Sequence, residues 1–413
     1  GQEAVMQIIE GGVTAAKGFK AAGMAAGIKY KNGKKDMAMV VSDKPCVTAG
    51  TFTLNRVFAA PVKWDKDIVA NSPFAQAVVV NSGVANACTG VEGDEACALE
   101  AKTAGETLGI SADAVLLGST GVIGMQLPMD RMCAGIKALP ELLDYTKEAG
   151  TLAAEAIMTT DTVKKQWAVE TVLDGKKVTI GGIAKGSGMI HINMGTTLSF
   201  VTTDAAISSE MLKSALIEAA DVSYNMVSVD GDTSTNDTLA IMASGYAGNK
   251  EITEKNDDYK TFTAVLTDAF KKVAKKLAKD GEGATKLLIC KVDGAKDDKS
   301  AKIISKSIIC SSLVKAAMFG ADANCGRILC AIGYSGAETD VKKIDVSYKS
   351  AKGEILVCKD GNGLVFDEDK AKEILLEDEI EILVKLGDGN ASAEAYGCDL
   401  TYDYVKINGD YRT

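Results

Sequence analysis

Lys185-Gly-Ser-Gly-Met-Ile-His-Ile-Asn-Met-Gly195-Thr196-Thr197-Leu-Ser-Phe200 is the densest run of chemistry-bearing residues in the chain. It reads as a Gly-rich turn leading into the hydroxyl-rich start of a strand, Leu198 to Val201. A phosphate cradle needs its lysine after the glycines and a helix after the loop. Here Lys185 comes first and a strand follows, so that reading is set aside. Two readings remain. In one, KGSG is a tight turn and Thr196 to Val201 an ordinary strand. In the other, Gly195-Thr196 is a self-cleavage junction: the threonine hydroxyl attacks the preceding carbonyl, the resulting ester hydrolyses, and a new N-terminal threonine is exposed. Its α-amine, titrating near ~7.7 to 8.0, can accept the hydroxyl proton without help from a histidine.

That last point matters because His191 is the sole histidine. A site needing two imidazoles in one chain is excluded, and a serine triad would have to use His191 as its base. The ten cysteines include no CxxC pair and read as reduced, mostly buried thiols, so no metal is expected. A net charge of -10 argues against nucleic acid and against an anionic membrane surface as partners, which leaves small molecules or proteins. With 413 residues, 46% of them hydrophobic, the chain can bury a large core as two lobes or one composite domain. No run of 18 uncharged apolar residues occurs, and Gly1 to Glu10 lacks the basic and apolar regions of a leader, so a soluble, cytoplasmic protein is expected.

Outward from the central segment the pattern is mixed α/β. Met37 to Val41, Ala77 to Val80 and Leu198 to Val201 read as buried strands. Ile380, Ile382, Val384 and Leu386 alternate with mostly charged residues, as a half-buried strand does. Helical periodicity spans Glu95 to Leu108, Glu210 to Ala220 behind the cap candidates Ser208 and Ser209, and Phe262 to Lys279. In the last, Phe270, Val273, Ala274 and Leu277 form one stripe, and the lysines 271, 272, 275, 276 and 279 read as a solvated face. Asp230-Gly-Asp-Thr-Ser-Thr-Asn-Asp237 has the alternating aspartates of a calcium loop, but Thr235 stands where glycine is required and Ile241 where a bidentate glutamate belongs. A polar loop bordering the site is the better reading. Five prolines and 41 scattered glycines mark no domain boundary.

The central segment resembles the ornithine acetyltransferase (glutamate N-acetyltransferase) pattern: lysine, Gly-Ser-Gly-Met-Ile, then Asn-Met and a small residue before a nucleophilic threonine. Val80-Asn-Ser-Gly-Val-Ala-Asn-Ala-Cys-Thr-Gly90, Ser119-Thr-Gly-Val-Ile-Gly124, Val229 to Thr238, Asp280-Gly-Glu-Gly-Ala-Thr-Lys286 and Ile407-Asn-Gly-Asp-Tyr-Arg-Thr413 resemble the same family in the same order. The resemblance implies an α/β fold of two β-layers flanked by helices with a smaller attached lobe. That fold would be built from two self-cleavage fragments, 1–195 and 196–413, which form one catalytic unit. It implies Thr196 as nucleophile, carrying acetyl as an ester in a ping-pong reaction from N2-acetyl-L-ornithine to L-glutamate within arginine biosynthesis. Thr120 and Gly121 match an oxyanion-stabilising pair. Thr162, Lys185, Thr196, Glu282, Asn408 and Thr413 match substrate-binding positions. Lys185 would supply a compact positive charge, and Glu282 would face the side-chain amine of ornithine.

The resemblance further implies no cofactor, with acetyl-CoA a candidate second donor, and a heterotetramer of two copies of each fragment. Three positions depart from the family pattern: Gly195 replaces the common alanine, Ile192 a common proline and Cys325 a common tryptophan. Gly195 bears on the processing rate, and the other two on local packing. Two rivals stand beside acetyl transfer: an aminopeptidase-like hydrolase of similar fold, in which water accepts the acyl group, and a binding protein that keeps the pocket without turnover.

Overall fold

The computed structural model describes residues 6–71, 74–191 and 197–410, so Gly195, Thr196 and Thr413 lie outside the described residues, as does Ile192. The described chain carries two sheets. The larger contains Gln7–Ile9 (β1), Phe19–Met24 (β2), Met37–Phe52 (β3), Phe74–Val84 (β4), Val115–Val122 (β5), Lys165–Leu173 (β6), Lys176–Lys185 (β7), Leu198–Thr203 (β8) and Thr238–Ala243 (β9). Their order is β1-β6-β7-β8-β9-β3-β4-β5, with β2 paired to β3. The smaller contains Leu287–Ala295 (β10), Asp345–Ser350 (β11), Gly353–Lys359 (β12), Asn362–Gly363 (β13), Glu379–Lys385 (β14) and Ala391–Cys398 (β15), in the order β13-β12-β11-β14-β10-β15.

Parallel neighbours need a crossover, and helices supply it. The helix Gly90–Leu108 connects the parallel β4 and β5 and ends at Gly109, whose φ of 71° only glycine adopts without strain. The helix Ser209–Asp221 connects the parallel β8 and β9. Its first turn is capped by Ser208, whose hydroxyl accepts from the Met211 N–H at 3.3 Å. The apolar runs read as strands are buried where they pair: Val78, Val79 and Val80 are almost fully enclosed, as are Leu198, Phe200 and Val201.

The helix Asp257–Lys279 packs against both sheets. Phe270, Val273, Ala274 and Leu277 face the core, and lysines 272, 276 and 279 are exposed. Phe270 meets Trp167 of β6 and Tyr224 edge-on, at centroid separations of 6.0 and 4.9 Å. The larger sheet draws β1 to β7 from residues before 195 and β8 and β9 from residues after it. The smaller sheet lies wholly in the later part and forms a lobe with the helices Asp298–Cys310 and Glu368–Leu375.

Candidate active site

The end of β7, the starts of β8 and β9 and the end of β5 meet around a cavity of about 480 Å³. Because β8 and β9 run parallel in the register Leu198↔Thr238, with the Thr238 N–H donating to the Thr197 carbonyl at 2.7 Å, Thr197 and Asp237 sit side by side at its floor. Thr120 and Gly121 enter from β5, Lys185 from β7, the segment Asp230 to Asp237 from the loop before β9, and Glu282 from the turn after the helix Asp257–Lys279.

Two glycines are fixed by close approach. Gly121 has φ +131°, and a Cβ there would lie 2.2 Å from the Gly83 carbonyl carbon of the neighbouring strand. Gly188 has Glu282 against it: a Cβ would lie 1.5 Å from the Glu282 Oε1. The Gly-Ser-Gly turn therefore lets a carboxylate lie directly on the backbone. Ser187 holds the far side of that contact, its carbonyl accepting from the Glu282 N–H at 2.8 Å.

The charges are arranged in opposition. Lys185 is 8% exposed and donates to the Thr120 and Thr159 hydroxyl oxygens at 3.1 and 2.8 Å. Burial lowers its pKa, and the carboxylates of Asp161 and Glu282 work against that shift. Since Thr120 accepts from Lys185, its own hydroxyl proton is left to point elsewhere. Burial pushes the Glu282 carboxyl upward, Asp230 adds to that, and hydrogen bonds to Thr160 and Asn408 oppose it.

Beneath Lys185 lies a charge network. The Lys165 ammonium, 1% exposed, bridges Asp161 at 2.6 Å and Asp280 at 2.7 Å. Asp161 also accepts from the Gly186 N–H at 2.8 Å. Burial alone would raise the pKa of Asp161, but Lys185 and Lys165 outweigh it and hold it below the usual carboxylate value. Asn236 braces the opposite wall, donating at 2.7 Å to both the Ala85 and Ser119 carbonyls. Ser119 in turn donates to Asn81 at 2.6 Å, which fixes the strand end that carries Thr120.

The structure thus brings Thr120, Gly121, Lys185, Glu282 and Asn408 to one cavity. It does not bring Thr162 there. The Thr162 hydroxyl donates to Asp280, and its N–H lies 3.1 Å from the same carboxylate, because the buried Lys165 anchors Asp280 on that side. Thr162 lines a neighbouring cavity instead, while Thr159 and Thr160 line the main one. The loop Asp230 to Asp237 borders the site as its polar pattern suggests, though the sequence gives no separate role to Asn236 or Asp237; Asp161 and Tyr404 do not stand out in the sequence. The run Met158-Thr-Thr-Asp-Thr162 is the available signal for Asp161, three hydroxyls around an acid, but nothing in it says which threonine turns inward.

His191 is not part of the cavity wall. Its Nδ1 lies 3.2 Å from the Ser228 hydroxyl and 3.4 Å from the Cys310 sulfur. Burial, with Lys306 adding, pushes it down to about 4, and burial pushes the Cys310 thiol up, so a thiolate–imidazolium pair is opposed on both sides. Asp230, first of the alternating aspartates, is spent on the fold: it accepts from the Met189 and Ile190 N–H groups at 2.9 and 3.2 Å and from the Tyr404 hydroxyl at 3.0 Å. No cluster of metal-binding side chains occurs among the described residues.

Fold and cavity define an α/β protein whose site pairs a buried cation with a buried carboxylate, dimensions and charges suited to a small zwitterion. The chain belongs to the ArgJ family, whose pattern it matches over residues 20–413. It is similar to the arginine biosynthesis bifunctional protein ArgJ 1 of Clostridium acetobutylicum, at 52% identity over 396 residues and 96% of each chain. It is also similar to the corresponding protein of Bacillus subtilis, at 45% identity over 405 residues, covering 98% of this chain and 97% of that one. Among solved structures, the ornithine acetyltransferase of Mycobacterium tuberculosis complexed with ornithine is 40% identical, with a TM-score of 0.42, covering 45% of this chain and 97% of that chain. No helix among the described residues is long and apolar enough to cross a membrane.

Proposed function

We propose that this chain is an enzyme of arginine biosynthesis that moves acetyl from N2-acetyl-L-ornithine to L-glutamate through an ester on Thr196, after cutting itself between Gly195 and Thr196. The observation that carries this is the opposition of Lys185 and Glu282 across one cavity beside Thr120, Gly121 and Thr197. An amino acid presents a carboxylate to one and an amine to the other. Membership of the ArgJ family supplies the choice of amino acids.

In the self-cleavage step the Thr196 oxygen bonds to the Gly195 carbonyl carbon, the peptide C–N bond breaks, and water hydrolyses the ester to leave a carboxylate and a free α-amine. In the first half-reaction the same oxygen takes acetyl from N2-acetyl-ornithine as the amide C–N bond breaks, and ornithine leaves with the proton. In the second, the glutamate amine attacks the ester and Thr196 regains its hydroxyl. Each step passes through an oxyanion, and Thr120 and Gly121 are assigned to it, the threonine because its proton is free of Lys185. Thr159 and Thr160 replace Thr162 as the hydroxyls of the wall. Glu282 and Asn408 take the amine end. Acetyl-CoA is the candidate second donor, and two copies of each fragment the candidate assembly.

The partition of acetyl tests the reading. Incubation with N2-acetyl-ornithine plus glutamate is expected to yield N-acetylglutamate in step with ornithine. Free acetate formed equally with and without glutamate would assign the chain to the hydrolase alternative.

A further inference from the structure

Asp237 is the one buried carboxyl in the cavity wall without a hydrogen-bond partner among the described residues. It is 1% exposed, and neither carboxylate oxygen finds a hydrogen-bond partner among the described residues. The Thr197 hydroxyl beside it, on the neighbouring strand, is equally unpartnered and buried. Lys185 is close enough to favour the charged form of Asp237, but the hydrogen bonds its ammonium makes go to Thr120 and Thr159 and none reaches Asp237. A buried polar group left unmet is costly, and Asp237 differs from Glu100, the other described carboxyl with both oxygens unmet, in lining the reaction cavity, where a bound group can reach it. Two adjacent acceptor-bearing groups on one wall call for a donor with several N–H bonds. A lone carboxylate is a poor metal site, and the described residues offer no others to join it.

We propose that Asp237, with the Thr197 hydroxyl, is the seat of a primary ammonium group in the reaction cavity, distinct from the amine position at Glu282. This rests on the acetyl-transfer reading. Burial keeps the Asp237 carboxyl well above its ordinary range, with Lys185 opposing. An ammonium formed at this wall, once an amine has taken up a proton in the reaction, brings three N–H donors and a positive charge to the two unmet groups. Two sources carry that chemistry: the α-amine released at Thr196, and the α-amine of the amino-acid substrate.

Asp237→Asn keeps shape and volume while removing the charge. The expected result is at least a tenfold loss of kcat/KM. A fall in kcat at unchanged KM assigns the ammonium to the chain's own new terminus; a rise in KM for one amino acid assigns it to that substrate. Values within about twofold of wild type in both half-reactions overturn the proposal. If the wild-type protein itself neither cuts nor takes acetyl, the underlying reading has failed instead, and calorimetric titration with L-ornithine then decides Asp237 separately. Weaker binding by at least tenfold in the variant upholds the seat, and equal binding overturns it. A binding defect in Asp237→Asn with the circular dichroism spectrum of wild type rules out misfolding as its cause.

Discussion

Gly188 is where a missing side chain makes the site. A methyl group there would collide with the end of the Glu282 side chain, a flexible group that can swing aside, and with no backbone atom within that range. Gly188→Ala is therefore expected to leave the fold intact and to raise KM for the amino-acid substrate by about tenfold, the loss of one charge-assisted hydrogen bond. Steady-state kinetics beside a thermal melt checks this; an unchanged KM would remove Glu282 from the binding wall. Glu100 lies outside the site and is fully enclosed, with neither carboxylate oxygen partnered among the described residues, and burial raises it from 4.5 to about 8. Between those values the folded state holds a proton that the unfolded state has lost, so stability falls as pH rises from about 4.5 to about 8. Glu100→Gln should flatten that slope and leave the protein a few kcal/mol more stable than wild type near pH 8. Denaturation midpoints across this range test it, and parallel profiles for the two proteins would contradict it. The Gly-Ser-Gly turn was legible at Gly188, though not the carboxylate lying on it, and Glu100 was legible only by its type. A glutamate inside Gly90–Leu108 looks solvent-facing until the packing of that helix against Ala60–Asn71 and β5 encloses it.

Whole elements were easier to read than their ends. The helix Asp257–Lys279 announces its buried stripe from Phe262 onward, yet it starts five residues earlier. Asn256 accepts from the Tyr259 N–H at 2.9 Å, and Asp257 and Asp258 fill the first turn, where carboxylates favour the helix dipole. Gly90–Leu108 likewise begins before the periodicity of Glu95 to Leu108 becomes visible. Capping is a local hydrogen-bond event that hydrophobic spacing does not register, whereas Ser208, a direct cap candidate, was legible. The long-range partners were not. Lys165 shows in sequence only as one of a Lys-Lys pair at the start of a strand, and its bridge to Asp280 spans 115 residues. That bridge ties β6 to the turn carrying Glu282. Lys165→Met strands two buried carboxylates and is expected to cost about 3–5 kcal/mol. A urea midpoint lowered at constant slope measures this; an unchanged midpoint would mean that the carboxylates reach other donors.

At the scale of the whole molecule, the junction at 195–196 lies inside the larger sheet's connectivity. β7 pairs with β8 across it, from Ile180↔Thr203 to Lys185↔Leu198, and Lys165 meets Asp280 across it. A cut there severs one peptide bond and leaves the sheet, the core and the charge network spanning both pieces, so one sequence can be two chains and still one site. The alternation of strands and helices made the α/β class legible. The grouping into two sheets follows from the family resemblance and not from periodicity, because β-pairing partners lie far apart in sequence and any buried strand satisfies the same hydrophobic pattern. The most direct measurement is intact-mass spectrometry of the purified protein before and after brief exposure to N2-acetyl-L-ornithine. The account predicts two fragments divided between Gly195 and Thr196, with one acetyl gained by the fragment that begins at Thr196. A single uncut chain that gains no acetyl would contradict it.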